Sequence, residues 1–381
     1  MADEAEPAPP RGADALEALM ARAVALGETS RRVAPPNPWV GCVLVRDGII
    51  VGEGATASPG APHAEVVALV AAGDRAQGAT AVVTLEPCAH HGRTGPCAEA
   101  LIAAGVTHVV AGVEDPDPRV RGQGIAALRA AGVEVTLGVN RRAVSTSLAP
   151  YLHHRRTGRA WCVLKTASSL DGRSAAPDGS SQWITGPEAR ADAHRLRAES
   201  QAVMVGAGTA ATDLPTLTPR DVAPPLDRDP PLRVVCDRAG RLLAEGPLFD
   251  PEIAPTLVLT TEAAPPAARD AWQAAGAKVE VLPAHPATGG VDLAAGLAVL
   301  GGHQVLQVLV EGGATLHASL LAAGLVDQLV AYVGGVALGR DARPLFDWPA
   351  ARTIADAPRF TLVDVTRLGG DARLTYEPAR P

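Results

Sequence analysis

Residues 62 to 97 open with Pro62-His63-Ala64-Glu65 and close with Glu86-Pro87-Cys88-Ala89-His90-His91-Gly92-Arg93-Thr94-Gly95-Pro96-Cys97. His63, Cys88 and Cys97 are ligands that zinc accepts, and a catalytic zinc site keeps three protein ligands with the fourth position left for water. The metal brings the pKa of that water close to neutrality, so a nucleophile is available at pH 7. Glu65 lies two residues past His63. From the first turn of a helix it can reach the water without ligating the metal, and so carry protons. A closed structural zinc site would need a fourth ligand, which His90 or His91 could supply, and unliganded cysteines also pack well in cores. Either of those readings leaves Glu65 without a role.

His-x-Glu followed by Pro-Cys and a second Cys is the pattern of zinc deaminases, which act on a ring carbon bearing an amino group. The general pattern has two residues between its cysteines, whereas eight separate Cys88 from Cys97. That long spacing resembles the bifunctional riboflavin biosynthesis deaminase–reductase family. The resemblance implies one zinc ion per chain and a cytidine-deaminase-like three-layer domain. It also implies that Asn37 contacts the pyrimidine substrate. His90 and Arg93, in the cysteine loop, are suited to a charge-assisted contact with a substrate phosphate, and the resemblance places a basic residue there.

The 381 residues are too many for one ordinary core, so two domains are expected. Hydrophobic content of 47% with 20% charged residues describes a globular protein. The net charge of −7 argues against a nucleic-acid partner, which would call for a basic face. No apolar run reaches the length of a membrane span, and Met1–Pro10 lacks the features of a signal peptide. Five cysteines without close pairing suit a reducing cytoplasm. Lys165 and Lys278 are the only lysines, which singles out Lys165.

Taken in order, residues 1–12 read as a disordered tail and 13–150 as the zinc deaminase domain. Leu16, Leu19, Met20, Ala23 and Leu26 recur at helical spacing. Strands over 40–46 and 49–53 join around Asp47-Gly48, a hairpin signal. A helix over 63–72 carries His63 and Glu65. A strand over 80–85 delivers Cys88 to the start of a second helix, where the dipole would lower its thiol pKa. Strands over 106–113 and 133–137 flank a helix over 125–131, so the domain is a layered α/β sheet. Residues 151–158, Tyr-Leu-His-His-Arg-Arg-Thr-Gly, break the pattern and read as a polar linker.

Residues 159–381 form the second domain. Ala160–Lys165 is a strand, followed by Asp171-Gly172-Arg173 and then Ser181-Gln182-Trp183-Ile184-Thr185-Gly186. This stretch resembles the reductase half of the same family, which has a dihydrofolate-reductase-like fold and uses NADPH. The resemblance places Ala167, Trp183, Thr209, Asp213 and the run Gly313, Ala314, Thr315, Leu316, His317, Ala318, Ser319 against NADPH. It places Ser181, Arg197, Leu217, Arg220 and Glu311 against the pyrimidine ribosyl phosphate; arginine suits this task because its planar fork binds phosphate bidentately. Gly206-x-Gly208-x-x-Ala211 fits a dinucleotide fingerprint, but Asp213-Leu214-Pro215 follows where a helix should continue. It is read as a close backbone approach without a Rossmann fold. Gly312-Gly313 after an apolar strand at 305–311 opens a helix, a ready anion site. Arg238 either favours NADPH through its extra phosphate or is a turn arginine. Lys165 either steadies the ribose oxygen being reduced or pairs with Asp171.

The expected protein is therefore an α/β, two-domain cytoplasmic enzyme and homo-oligomer acting on a small pyrimidine ribosyl phosphate. Glu65 and Lys165 are its expected catalytic residues. The alternative is a nucleoside or tRNA zinc deaminase with a non-catalytic second domain.

Overall fold

The computed structural model describes residues 12–90, 95–223, 229–347 and 351–379. The tail expected over 1–12 lies, apart from Gly12, outside the described residues. The chain divides into two compact units, with the boundary between Thr157 and Gly158.

The first unit comprises α1 (Ala13–Thr29), β1 (Gly41–Arg46), β2 (Ile49–Ala55), α2 (Ala64–Ala72), β3 (Thr80–Leu85), α3 (Cys97–Ala103), β4 (His108–Val113), α4 (Gln123–Ala130), β5 (Glu134–Leu137), α5 (Arg141–Ser147) and α6 (Ala149–Thr157). Its sheet runs β2-β1-β3-β4-β5, with β1 antiparallel to its neighbours and β3, β4 and β5 parallel. Two glycines show how helices cover both faces. A β-carbon at Gly41 would collide with the Ala23 carbonyl of α1, and one at Gly54 with the Ala64 carbonyl of α2. Cys42 is the cross-strand partner of Gly54, so Gly41 and Gly54 point to opposite faces. The helices α1 and α2 thus sandwich the sheet, and Gly41–Leu44 is buried throughout. This is the three-layer arrangement.

The polar linker expected at 151–158 is instead helix. Tyr151 and Leu152 are 3% and 2% exposed, and the Tyr151 hydroxyl donates to Asp115 at 2.9 Å. Arg155 pairs with Asp117 at 3.6 Å and lies over the Tyr151 ring. The adjacent histidines and arginines mask a short apolar stripe that packs α6 into the first unit.

The second unit comprises β6 (Trp161–Ser168), β7 (Arg173–Ala175), α7 (Pro187–Glu199), β8 (Ala202–Gly206), α8 (Ala207–Asp213), β9 (Leu232–Cys236), β10 (Thr256–Thr260), α9 (Pro266–Ala274), β11 (Lys278–Val281), α10 (Leu293–Gly302), β12 (Gln307–Gly312), α11 (Ala314–Ala322), β13 (Gln328–Val333), β14 (Arg343–Pro344), β15 (Phe360–Leu368) and β16 (Asp371–Pro378). Nine strands form one sheet in the order β11-β10-β9-β8-β12-β6-β13-β16-β15. The run from β11 to β13 is parallel, and β16 and β15 add an antiparallel edge.

Both faces of the parallel strands are apolar, as parallel sheets require. Met204, Val234, Leu257 and Val308 pack with Leu297 and Leu300 of α10 and Leu316 and Leu320 of α11. Val203, Val235 and Val258 pack on the other face with Trp272 of α9. Neighbouring residues of one strand thus enter different cores. Because β8 leads outward to β9 while β12 leads back past β6 to β13, the connections diverge between β8 and β12. Ligands of open α/β sheets bind at such a point, outside the carboxyl ends of the strands. The short helix α8 corrects one expectation, since the glycine-rich turn at 206 does open a helix, which stops after seven residues.

Candidate functional site

In the first unit, β2 and β3 set the metal ligands. His63 is the extended residue just before α2, and Glu65 lies in the first turn. Gly52 and Gly54 let α2 sit directly on β2, because a β-carbon at either would strike backbone or side-chain atoms of that helix. Past β3, the Glu86 carboxylate accepts hydrogen bonds from the backbone N–H groups of Asp115, Gly122, Gly124 and Ile125 at 3.0–3.3 Å. Four donors on one buried acid lock the turn that presents Cys88. Nothing in the sequence pattern marked Glu86, since its donors lie about thirty residues further along the chain. Cys97, and not Cys88, opens the second helix; Cys88 stands in the irregular segment before it.

The three ligands form a compact triangle. His63 Nδ1 lies 3.2 Å from Cys97 Sγ and 3.7 Å from Cys88 Sγ, and the Cys97 N–H donates to Cys88 Sγ at 3.4 Å. Tetrahedral zinc with ordinary Zn–N and Zn–S bonds sets ligand–ligand edges of about 3.5–3.8 Å, so the donor set and its spacing fit that metal. This is the metal-ligating cluster found among the described residues. The Cys88 thiol is held well below its ordinary value, first by a hydrogen bond with Cys97 and then by His63. Cys97 is correspondingly pushed up. One of the pair is thus ready to ligate as thiolate.

Glu65 is 4% exposed and makes no ion pair among the described residues. Burial, and then the neighbouring Cys88 thiolate, push its carboxyl up to about 7. Asn37 lies in the partly buried turn before β1, its N–H on the Ala34 carbonyl. His90 is partly buried, and its Nδ1 has no partner among the described residues. Arg93 lies outside the described residues.

In the second unit, the turns after β8 and β12 touch. A β-carbon at Gly312 would press on the Thr209 side chain, and Gly313 has a φ of 98°, which glycine tolerates. They form one wall of a cleft of about 880 Å³, lined also by Asp237, Arg238, Arg241 and His285. Thr209, Gly313, Thr315, Leu316 and Ser319, which the resemblance sets against NADPH, line this cleft. Ala318 is buried and is not among the cleft's lining residues, and Asp213 is exposed at the end of α8. His317 is 4% exposed, and burial followed by the nearby Lys165 charge brings its pKa down to about 4.

A second cluster brings together Lys165 of β6, Arg197 of α7 and Glu311 of β12. Arg197 Nε and Nη2 each donate to Glu311 at 2.6 Å, and Nη1 donates to the Thr218 carbonyl at 3.1 Å. Most of the fork expected to hold phosphate is therefore engaged by the carboxylate expected to touch substrate. Lys165 is partly buried and forms no ion pair among the described residues; its Nζ lies 5.7 Å from the Tyr332 ring centroid. Burial pushes its pKa down. Asp171 is not its partner, because that carboxylate accepts from Ser169 Oγ and from the N–H groups of Leu338 and Gly339. Arg220 donates its backbone N–H to His194 Nδ1. Leu217 is 1% exposed within the core beside Val203 and Val205, so its side chain serves packing. Ser181 and Trp183 are exposed, with the Arg190 guanidinium 4.3 Å over the Trp183 ring. Ala167 sits on β6 two residues past Lys165.

Comparison with known proteins bears on both units. Residues 13–113 match the cytidine and deoxycytidylate deaminase zinc-binding region, and residues 160–374 match the RibD C-terminal domain. The riboflavin biosynthesis protein RibD of Chlamydia pneumoniae is 43% identical over 359 residues, covering 94% of each chain. The structure of Acinetobacter baumannii RibD superposes with a TM-score of 0.87 at 38% identity, covering 97% of this chain and all of that one. A Thermotoga maritima structure described as a diaminohydroxyphosphoribosylaminopyrimidine deaminase and 5-amino-6-(5-phosphoribosylamino)uracil reductase has a TM-score of 0.83 at 32% identity, covering 96% and 99%. The described residues contain no helix long and apolar enough to cross a membrane. The chain therefore belongs to the RibD family, and is a bifunctional deaminase and reductase of riboflavin biosynthesis that uses zinc and NADPH.

Proposed function

We propose that the first unit hydrolytically deaminates 2,5-diamino-6-ribosylamino-4-pyrimidinone 5′-phosphate and that the second then reduces the ribosyl group of the product to ribityl. The observation that carries this reading is the His63–Cys88–Cys97 triangle with a buried Glu65 beside it. Those three side chains would hold zinc, which would make a bound water nucleophilic near neutral pH. The Glu65 carboxylate would take one proton from that water and pass it to the ring nitrogen, then take the remaining hydroxyl proton and pass it to the amino group, which leaves as ammonia. A buried carboxyl beside the metal ligands is placed for both halves of that transfer. Asn37, His90 and Arg93 orient the pyrimidine and its phosphate.

In the second unit the cleft would hold NADPH, which would supply the hydride for the ribose C1′. The C1′–O4′ bond opens, and O4′ takes a proton to become a hydroxyl. Lys165 steadies O4′ and gives that proton; its lowered pKa favours release. The Arg197–Glu311 pair forms a charged wall that fixes the sugar, and Ser181 and Arg220 hold the phosphate. The turns at Thr209 and at Gly313–Ser319 support the dinucleotide through their backbone, with Ala167, Trp183 and Asp213 at its reacting end.

The enzyme is further proposed to be a cytoplasmic homo-oligomer. Cysteine ligands must stay reduced, which suits that compartment. The edge strand β15 exposes Leu362, Val363 and Val365, a surface that a second copy would cover. Replacing Val365 with Lys should then yield monomer in sedimentation.

The decisive experiment supplies the zinc-loaded protein with the diamino-pyrimidinone phosphate and NADPH, and follows ammonia release and reduced-cofactor absorbance separately. Wild type should give both signals, and Glu65→Gln should oxidise NADPH only with the pre-deaminated intermediate. Ammonia without NADPH oxidation would leave a deaminase with a passive second unit.

A further inference from the structure

Lys165 leaves β6 on the face covered by α7, between Val163 and Ala167 of the same strand, which pack with Leu196, Leu309 and Tyr332. Strand β13 runs parallel to β6, with Val330 opposite Lys165 and Tyr332 opposite Ala167. Tyr332 is therefore the diagonal neighbour of Lys165 on that face, and its ring centroid lies 5.7 Å from Nζ. At that range the negative face of the ring attracts an ammonium, the more so where water is excluded.

The ring is fixed from three further elements. Tyr332 is 1% exposed, and its hydroxyl donates to Asp192 of α7 at 2.7 Å. Asp192 accepts also from Arg195 Nε at 2.8 Å and from Arg373 Nη1 of β16 at 3.0 Å. Arg373 Nη2 in turn donates to Asp364 and Thr366 of β15 at 3.1 and 2.9 Å. Burial would raise the Asp192 carboxyl, but the Tyr332 hydroxyl and then Arg195 outweigh it, so it stays ionised. Packing alone would be served by an apolar side chain here. A phenol that donates to a held carboxylate keeps its ring in one orientation and polarises it toward a cation.

We infer that Tyr332, its hydroxyl anchored on Asp192, is a positioning residue for the reductive step: its ring holds the Lys165 ammonium in place and keeps it charged until the proton is given. The inference rests on the reading of Lys165 as proton donor. Glu311 of β12, Arg197 of α7 and His317 of α11 also surround Lys165. Glu311 lies below its ordinary 4.5 and His317 at about 4; burial would lower Arg197, but Glu311 holds it above its ordinary value. Burial pushes the Tyr332 phenol up. The alkaline limb of the reaction therefore belongs to Lys165. A proton donor works below its pKa, and loss of the ring lowers that pKa. The test follows NADPH oxidation by the full-length, zinc-loaded protein with the deaminated intermediate as pH is varied. Y332L should lower kcat about 10-fold and move the alkaline limb down by about one pH unit, the scale of a desolvated cation–π contact, with NADP⁺ affinity unchanged. Y332F keeps the ring and should restore most of both. In the Lys165→Ala background Y332L should cost nothing further. Where Y332L fails to bind NADP⁺, Y332M, whose flexible side chain fills the gap, takes its place. A wild-type limb in the variant that binds NADP⁺, Y332F as impaired as Y332L, or the same fold-loss with and without Lys165 would overturn the inference and leave Lys165 as donor. Full turnover by Lys165→Ala would overturn that reading, and the inference with it.

Discussion

The two units organise their chemistry in opposite ways. In the first, ligands and acid fall within 35 residues, from His63 to Cys97, and are delivered by one helix start, one strand end and one further helix start. In the second, the groups that meet come from β6, α7, β12 and α11, spread from Lys165 to His317. A metal demands donor atoms at fixed short separations, and a short loop supplies these most directly. A dinucleotide spans the carboxyl ends of several strands and is held largely by backbone, so its site belongs to the sheet topology.

If this contrast is right, the two activities can be broken separately. The largest effect should come from chelation. Ammonia release should fall at least about 10³-fold, because the readiness of the water to lose its proton rests on the metal. NADPH oxidation with the deaminated intermediate should continue, and its parallel loss would mean that zinc also holds the second unit together. Next, Lys165→Ala should slow NADPH oxidation about 100-fold, the usual scale for a positioned proton donor. NADP⁺ affinity and ammonia release should hold; unchanged turnover would remove Lys165 from the reaction.

A smaller effect tests the delivery of Cys88. Glu86→Gln replaces one oxygen of a four-fold acceptor with a donor, and should weaken zinc about 10-fold in competition with a chromophoric chelator. Zinc affinity equal to wild type would show that the turn holds without that acid. The smallest effect concerns pH. Burial alone would raise Glu311, but Arg197 outweighs it and holds the carboxyl below its ordinary 4.5. A depressed acid stabilises the folded state above its unfolded-state pKa, and that stability is lost as pH falls through the folded value. The second unit should therefore lose urea resistance only below about pH 4.5, and Glu311→Gln should flatten that limb. Parallel acid limbs in the two proteins would show that the pair adds no stability.

How far the chain could be read follows the same contrast. Strand β3 has the expected limits, because it is a short β-branched run bounded by turn residues. Helix α6 was hidden because its histidines and arginines outnumber the buried Tyr151 and Leu152 that make it pack. Helix α10 has no polar face to supply a period, since Leu293, Leu297 and Leu300 are followed by small residues. The resemblance set both Arg197 and Glu311 against substrate, but nothing in linear order marks their pairing with each other across 114 residues.

The zinc chemistry was determined by sequence alone. His63, Glu65, Cys88 and Cys97 are close enough in the chain for spacing to imply geometry, and their donor types admit few metals. What tertiary structure decided is which charges remain available. Glu86, Asp237 and Glu311 are all acids in the sequence, yet four backbone N–H groups, three backbone N–H groups and one arginine respectively consume them. Hydrogen-bond partners brought from distant strands settle whether a carboxylate serves a ligand or the fold, and a linear pattern carries no record of those partners.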